Sequence, residues 1–123
     1  KASTDAAYDA ALFYCIENYR EIASINASHN ARSNALQAEW IARADIPRHH
    51  PHLMFCQLYG MSDNLTFNLA AEGYNAAKYI PYGPVKEVVP YLIRRAQENA
   101  SITGDMSREY QLVLQEMKRR GLG

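Results

Sequence analysis

The sequence is short of cysteine, of surplus charge, of long apolar runs and of glycine-rich turns. Two cysteines, Cys15 and Cys56, cannot build a disulfide framework, and they fit a reducing compartment or buried thiols. Thirteen Lys and Arg balance thirteen Asp and Glu. A general nucleic-acid binder needs a basic excess to neutralise phosphates, so that class is excluded. No apolar run reaches the roughly eighteen residues that a membrane-spanning helix needs. The opening residues, KASTDAAYDA, lack the basic-then-apolar layout of a secretory signal, so the expectation is a protein that is not secreted. No glycine fingerprint of the dinucleotide or phosphate-loop type occurs, which leaves a nicotinamide site of the usual kind unsupported. Nor is there a linker, a fixed-period repeat or a low-complexity tract. What is present is a domain-sized chain of 123 residues, 48% apolar, with nine tyrosines.

Periodicity divides the chain. From Asp5 to Tyr19, residues Tyr8, Leu12, Cys15, Ile16 and Tyr19 recur at spacings of three and four, which predicts a helix that Ser3 or Thr4 can cap. Residues 21–28 read as a short buried strand, ending at Ser28-His29-Asn30. Ala31 to Ala44 reads as a second helix with Leu36, Trp40 and Ile41 near one face. A loop with Pro47 and Pro51 leads to the apolar run 53–57. Asp63 can cap a third helix, closed by Gly73, and residues 75–81 are a third strand candidate. Pro84 suits the first position of a helix running to about Asn99, bent or split by Pro90. A last helix spans about Asp105 to Arg120 and ends at Gly121. Strands alternating with helices predict an α/β fold with a parallel sheet and right-handed crossovers. Ligands in such folds gather at the carboxyl ends of the strands, here Ser28-His29-Asn30, Gln57-Leu58-Tyr59, and Tyr79 with Tyr82.

The densest chemistry lies in residues 90–99. On a helix, Tyr91, Arg94, Arg95 and Glu98 share a face at spacings of three and four. Two guanidiniums beside a phenol suit a small carboxylate, because each offers a planar bidentate fork. The competing reading is a solvated helix face with an ordinary Arg–Glu pair. Ser28-His29-Asn30 is either a ligand loop or a plain strand-to-helix turn with Asn30 as cap. Arg48-His49-His50-Pro51-His52 has the histidines of a metal tract but neither a Cys nor an i,i+4 pair on a helix. It also precedes a strand, at the end away from the expected site, so a solvated loop and no metal are expected there.

The stretch Tyr79-Ile-Pro-Tyr-Gly-Pro-Val85, followed by Pro90-Tyr-Leu-Ile-Arg-Arg-Ala-Gln-Glu-Asn99, resembles the carboxyl-terminal signature of proline dehydrogenases. Upstream, Ala27-Ser-His-Asn30 and Phe55-Cys-Gln-Leu-Tyr-Gly-Met61 resemble that family's two preceding strand-end motifs, in the same order. The resemblance runs from about Thr4 to Arg120. It implies a FAD-dependent (β/α)8 barrel that oxidises L-proline to Δ1-pyrroline-5-carboxylate, the first step of proline catabolism, and passes electrons to a membrane quinone. By that resemblance Arg94 and Arg95 would hold the substrate carboxylate, with Arg95 also near the flavin. Tyr79, Tyr91 and Leu58 would shape the pocket around the proline ring. Glu98 would contact the cofactor and fix an arginine, while Ser28, His29, Asn30 and Gln57 match positions that contact FAD. Ser101 and Ile102 would lie near the adenine end. A tyrosine at position 79 is the choice of proline oxidisers, where hydroxyproline-oxidising relatives carry a smaller residue.

The family's earlier half carries a substrate-site Asp and Lys and an Arg-x-x-Lys-Gly strand, none of which is in this sequence. Residues 1–123 therefore read as one segment of a single catalytic barrel, its last three β/α units plus a terminal helix, inactive without the N-terminal half as partner. Three strands cannot close a barrel, because closure links strand number, tilt and stagger. The resemblance further implies a mitochondrial location at the matrix side of the inner membrane, or a bacterial cytoplasm or inner-membrane face, with peripheral membrane association. Two other readings stay open, a hydroxyproline dehydrogenase and a non-catalytic module that binds a carboxylate or a flavin.

Overall fold

The computed structural model describes residues 2–100 and 103–122, apart from the side chains of residues 2, 96, 98–100 and 103–109. In chain order the elements are α1 (Ala2–Glu17), β1 (Ser24–Ala27), α2 (Ala31–Arg43), β2 (Leu53–Leu58), α3 (Asp63–Ala71), β3 (Ala76–Tyr79), α4 (Val85–Ala100) and α5 (Thr103–Arg119). The three strands form one sheet in the order β1-β2-β3, both pairs parallel. The α/β reading with a parallel sheet therefore holds. Two compact units result, Lys1–Ile80 with the sheet and Pro81–Gly123 with α4 and α5.

Within the first unit the strand register sorts side chains into two rows. Ser24 pairs with Leu53, Asn26 with Phe55, Phe55 with Ala76 and Gln57 with Lys78. Alternation puts this row on the face that the helices cover, where Asn26, Leu53, Phe55 and Gln57 are buried. The other row, Ile25, Ala27, Met54, Cys56, Leu58, Ala77 and Tyr79, forms the open face. The apolar core joins Ile16, Ile41, Ile46, Leu53 and Phe55, with Tyr74 edge-on to Phe55 at 5.5 Å. Each such side chain contributes about 1.5–3 kcal/mol by leaving water.

Toward the carboxyl ends of the strands the same layer turns polar. Ser33, Asn34 and Gln37 of α2 are buried beside Asn26, Gln57 and Thr66. Ser33 Oγ donates to Asp9 at 2.7 Å and the Tyr8 hydroxyl donates to Asn26 at 2.8 Å, tying α1 to α2 and β1. Burial raises the Tyr8 phenol above its ordinary value of 10.0.

Several boundaries differ from expectation for local reasons. Helix α1 begins at Ala2, so Ser3 and Thr4 lie inside its first turn instead of capping it. Strand β1 starts only at Ser24, because the amides of Glu21 and Ile22 both donate to the Asn18 carbonyl in the turn that closes α1. Asn75 stands just outside β3, its side chain donating to the carbonyls of His50 and Leu53. The cap position of α3 is Ser62, one residue before Asp63. Helix α4 runs through Pro90 unsplit, and its start is marked by the Pro84 carbonyl, which accepts from Glu87 and Val88. On α5, Arg119 and Arg120 hold the exposed Glu116 carboxyl down at about 2. Cys15 and Cys56 are free thiols, each half-buried rather than fully enclosed.

Candidate functional site

The parallel sheet brings two expected pocket residues together. Leu58 and Tyr79 are register partners and share the open face at the carboxyl ends of β2 and β3. Below them the row narrows to Ala27, Cys56 and Ala77, small side chains that leave room above. The Tyr59 amide donates to the Tyr79 carbonyl at 2.9 Å, which extends the pairing to the lip of the sheet.

The β1–α2 loop is stiffened from inside. The Asn30 side chain caps α2 by accepting from the Arg32 amide at 3.0 Å. Ser28 Oγ accepts from the Asn30 amide at 3.1 Å. Asn34 Nδ2 donates to the carbonyls of both Ser28 and Asn30. The side chain that leaves the loop is His29, whose Nδ1 shares a 2.8 Å hydrogen bond with Ser62 Oγ on the neighbouring β2–α3 loop.

Gln57 is placed differently from the expected cofactor contact. Alternation that turns Leu58 to the open face turns Gln57 to the helix side, where it is 1% exposed. Its Nε2 donates to the Ser28 carbonyl at 3.1 Å and to Asn34 Oδ1 at 3.2 Å, and its Oε1 accepts from Thr66 at 2.8 Å. Gln57 thus supports the Ser28–Asn30 loop from below. The histidine tract has a comparable structural role. The His52 ring donates from Nδ1 to the Tyr19 carbonyl at 2.8 Å, and His50 Nδ1 accepts from the His52 amide.

In the second unit α4 presents Tyr91, Arg94 and Arg95. The Arg95 guanidinium lies 5.3 Å from the centroid of the Tyr91 ring, a cation–π stack one helical turn apart. Contact with an aromatic face restrains the guanidinium. Arg94 is exposed and Arg95 half-buried on the same helix. The expectations for the Glu98 side chain and for Ser101 and Ile102 fall outside the described residues.

Sequence reasoning missed Asn34, Ser62, Thr66 and Lys78. Lys78 carried a signal, a lone cation inside an apolar strand; its Nζ meets Asp63 Oδ1 at 2.6 Å and also donates to the Met61 carbonyl.

The family model described as proline dehydrogenase matches residues 1–108. The chain belongs to the proline dehydrogenase family. It is 40% identical over 121 residues to proline dehydrogenase 2, mitochondrial, of Arabidopsis thaliana, covering 96% of this chain and 25% of that protein. It is 45% identical over 97 residues to hydroxyproline dehydrogenase of Bos taurus, covering 79% of this chain and 21% of that one. Among solved structures it is similar to proline utilization A (PutA) from Bdellovibrio bacteriovorus inactivated by N-propargylglycine. That match has a TM-score of 0.71 and 34% identity, over 80% of this chain and 10% of the PutA chain. This proline dehydrogenase family member thus spans a quarter or less of the length of each of these relatives.

Proposed function

We propose that the chain is the carboxyl-terminal part of the (β/α)8 catalytic barrel of a FAD-dependent proline dehydrogenase. In this reading it works with an N-terminal half, oxidises L-proline to Δ1-pyrroline-5-carboxylate and delivers electrons to a quinone. The observation that carries the reading is the Arg95–Tyr91 stack beside Arg94 on α4. A zwitterionic substrate presents one carboxylate, and paired guanidiniums bind it through charge-assisted forks. Leu58 and Tyr79 offer an apolar and an aromatic wall to a five-membered ring.

The residues present suit a flavin. In the first unit His29 leaves a strand-end loop as a hydrogen-bonding imidazole, and in the second Arg95 offers a cation held against the Tyr91 ring. The flavin, when bound, supplies a two-electron acceptor for the hydride that proline loses. What the protein would contribute is position: in the second unit Arg94 and Arg95 would clamp a carboxylate, and in the first Leu58 and Tyr79 would pack an apolar ring. Holding a reactant in a near-attack geometry removes much of the entropic part of a barrier. No nucleophile or acid–base triad is required, which agrees with a site built of clamps and walls.

A mitochondrial location is proposed from relatives whose names place them there. Among the described residues no helix is long and apolar enough to cross a membrane. The likeness to a hydroxyproline dehydrogenase supports a second reading, in which the same clamp holds a hydroxylated ring. The complete enzyme, purified, should be yellow and should reduce a dye with L-proline faster than with trans-4-hydroxy-L-proline. The reverse preference selects the second reading, and a colourless protein that oxidises neither refutes both.

A further inference from the structure

We infer that Ser62 is a positioning residue whose hydroxyl fixes the His29 imidazole, and that the β2–α3 loop is built to hold it there. The inference rests on the reading of His29 as a flavin contact. Ser62 has φ 50° and ψ 41°, the left-handed region, which a residue with a Cβ occupies only under constraint. It also stands at the cap position of α3, where a serine ordinarily accepts a backbone N–H of the first turn, yet its side chain makes no capping bond. Both features work against local stability. The hydroxyl is directed instead to His29 Nδ1, at 2.8 Å and 33 residues away in sequence.

The surrounding contacts over-determine this geometry. The Ser62 carbonyl accepts from the amides of Leu65 and Thr66 at 3.0 and 3.2 Å. Lys78, rooted in β3, grips the residues on either side through the Met61 carbonyl and the Asp63 carboxylate. A loop pinned on both flanks, with its central residue strained and its cap forgone, delivers one thing: a hydroxyl at a fixed place. A hydrogen bond at one ring nitrogen fixes the position and tilt of the imidazole whichever partner donates, and so the direction in which the other nitrogen points. Ser62 touches neither substrate nor flavin in this account; it acts through His29.

The test uses the complete enzyme and two variants. Ser62→Gly removes the hydroxyl and relieves the left-handed strain, whereas Ser62→Ala removes the hydroxyl and keeps the strain. Ser62→Gly should leave the thermal midpoint unchanged or higher, yet weaken FAD binding to the apoenzyme about three- to tenfold, the effect of one lost hydrogen bond. In the flavin-free protein, 15N-histidine NMR, with His29 assigned through His29→Gln, should show the His29 Nδ1 signal shifted in both variants relative to the parent. Unchanged FAD affinity with an unchanged His29 Nδ1 signal overturns the inference. So does a loss of affinity that merely tracks a fall in thermal midpoint across the two variants. If the parent enzyme takes up no flavin, the proposed function fails instead, and the NMR comparison still decides whether Ser62 sets the ring.

Discussion

Replacing Gln57 by Met is the sharpest test of the buried layer beneath the candidate site. Methionine keeps the length and approximate volume of the side chain but removes three hydrogen bonds. Their partners do not suffer equally. The Ser28 carbonyl retains Asn34 Nδ2 at 3.0 Å, and the Thr66 hydroxyl retains a long contact with the Ser62 carbonyl at 3.4 Å. Asn34 Oδ1 loses its donor, and Asn34 is only 2% exposed. A stranded buried acceptor costs about 1–3 kcal/mol, and the weakened threonine adds part of another bond, for a sum of about 2–4 kcal/mol. Native-state hydrogen exchange on the complete enzyme reads this locally. Amides at the start of α2, such as Asn34, which donates to the Asn30 carbonyl at 3.1 Å, should exchange at least about 30-fold faster. Asn34→Leu combined with Gln57→Met should cost less than the sum of the two, since removing both partners strands fewer groups. A change below about threefold, or one spread evenly over the protein, would refute the assignment of Gln57 as the support of the Ser28–Asn30 loop.

Arg95→Lys keeps the charge but loses the planar stack on Tyr91 and the bidentate fork, so kcat/KM for proline should fall about 10- to 100-fold in a dye-coupled assay; a fall under threefold argues against the clamp. Because burial raises the Tyr8 phenol, its contribution to stability is fully present below the ordinary value of 10.0 and is lost as pH rises through that value and beyond. Tyr8→Phe should flatten that alkaline slope, and the phenolate absorbance missing from the variant should belong to a phenol that titrates above its ordinary value; a normal titration contradicts the burial argument. Ile25 is 61% exposed on the open sheet face. Ile25→Asp should therefore cost under about 0.5 kcal/mol if that face meets water, but should destabilise the complete enzyme by several kcal/mol if the rest of a barrel covers it, as thermal melting would report.

The element order was legible because α2, α4 and α5 carry a period near 3.6 and β2 is a short, mainly apolar run bounded by turns. The Tyr91–Arg95 pairing was legible too, since i and i+4 meet on any helix. The facing of β2 was not. Leu53, Phe55 and Gln57 alternate with Met54, Cys56 and Leu58, and in a parallel strand with two buried faces both sets look alike. That ambiguity is why the residue types alone do not show that Gln57 faces the helix layer. On α2 the expected stripe of Leu36, Trp40 and Ile41 holds at Ile41, which is in the core, and at Trp40, which packs against it, but it leaves out the polar part of the buried face. Ser33, Asn34 and Gln37 take much of the buried face, and hydrogen bonds from Ser33 and Asn34 reach α1, β2 and the strand-end loop. No residue-type signal marks Ser62 as left-handed, since a serine enters that region only where surrounding contacts hold it.

The two layers of the sheet divide the work. On the helix side, apolar packing at the amino ends of the strands gives way to an amide and hydroxyl network at the carboxyl ends. Apolar contacts resist separation but tolerate small slips, whereas hydrogen bonds fix distance and direction. A site that works by positioning needs the second property where ligands bind and only the first where they do not. The open face obeys the same division, with Leu58 and Tyr79 at the carboxyl ends above a row of small side chains. Polar support therefore concentrates under the loop that carries His29. The strain at Ser62 sits on the loop next to it, where the surrounding hydrogen bonds can hold a left-handed residue in place.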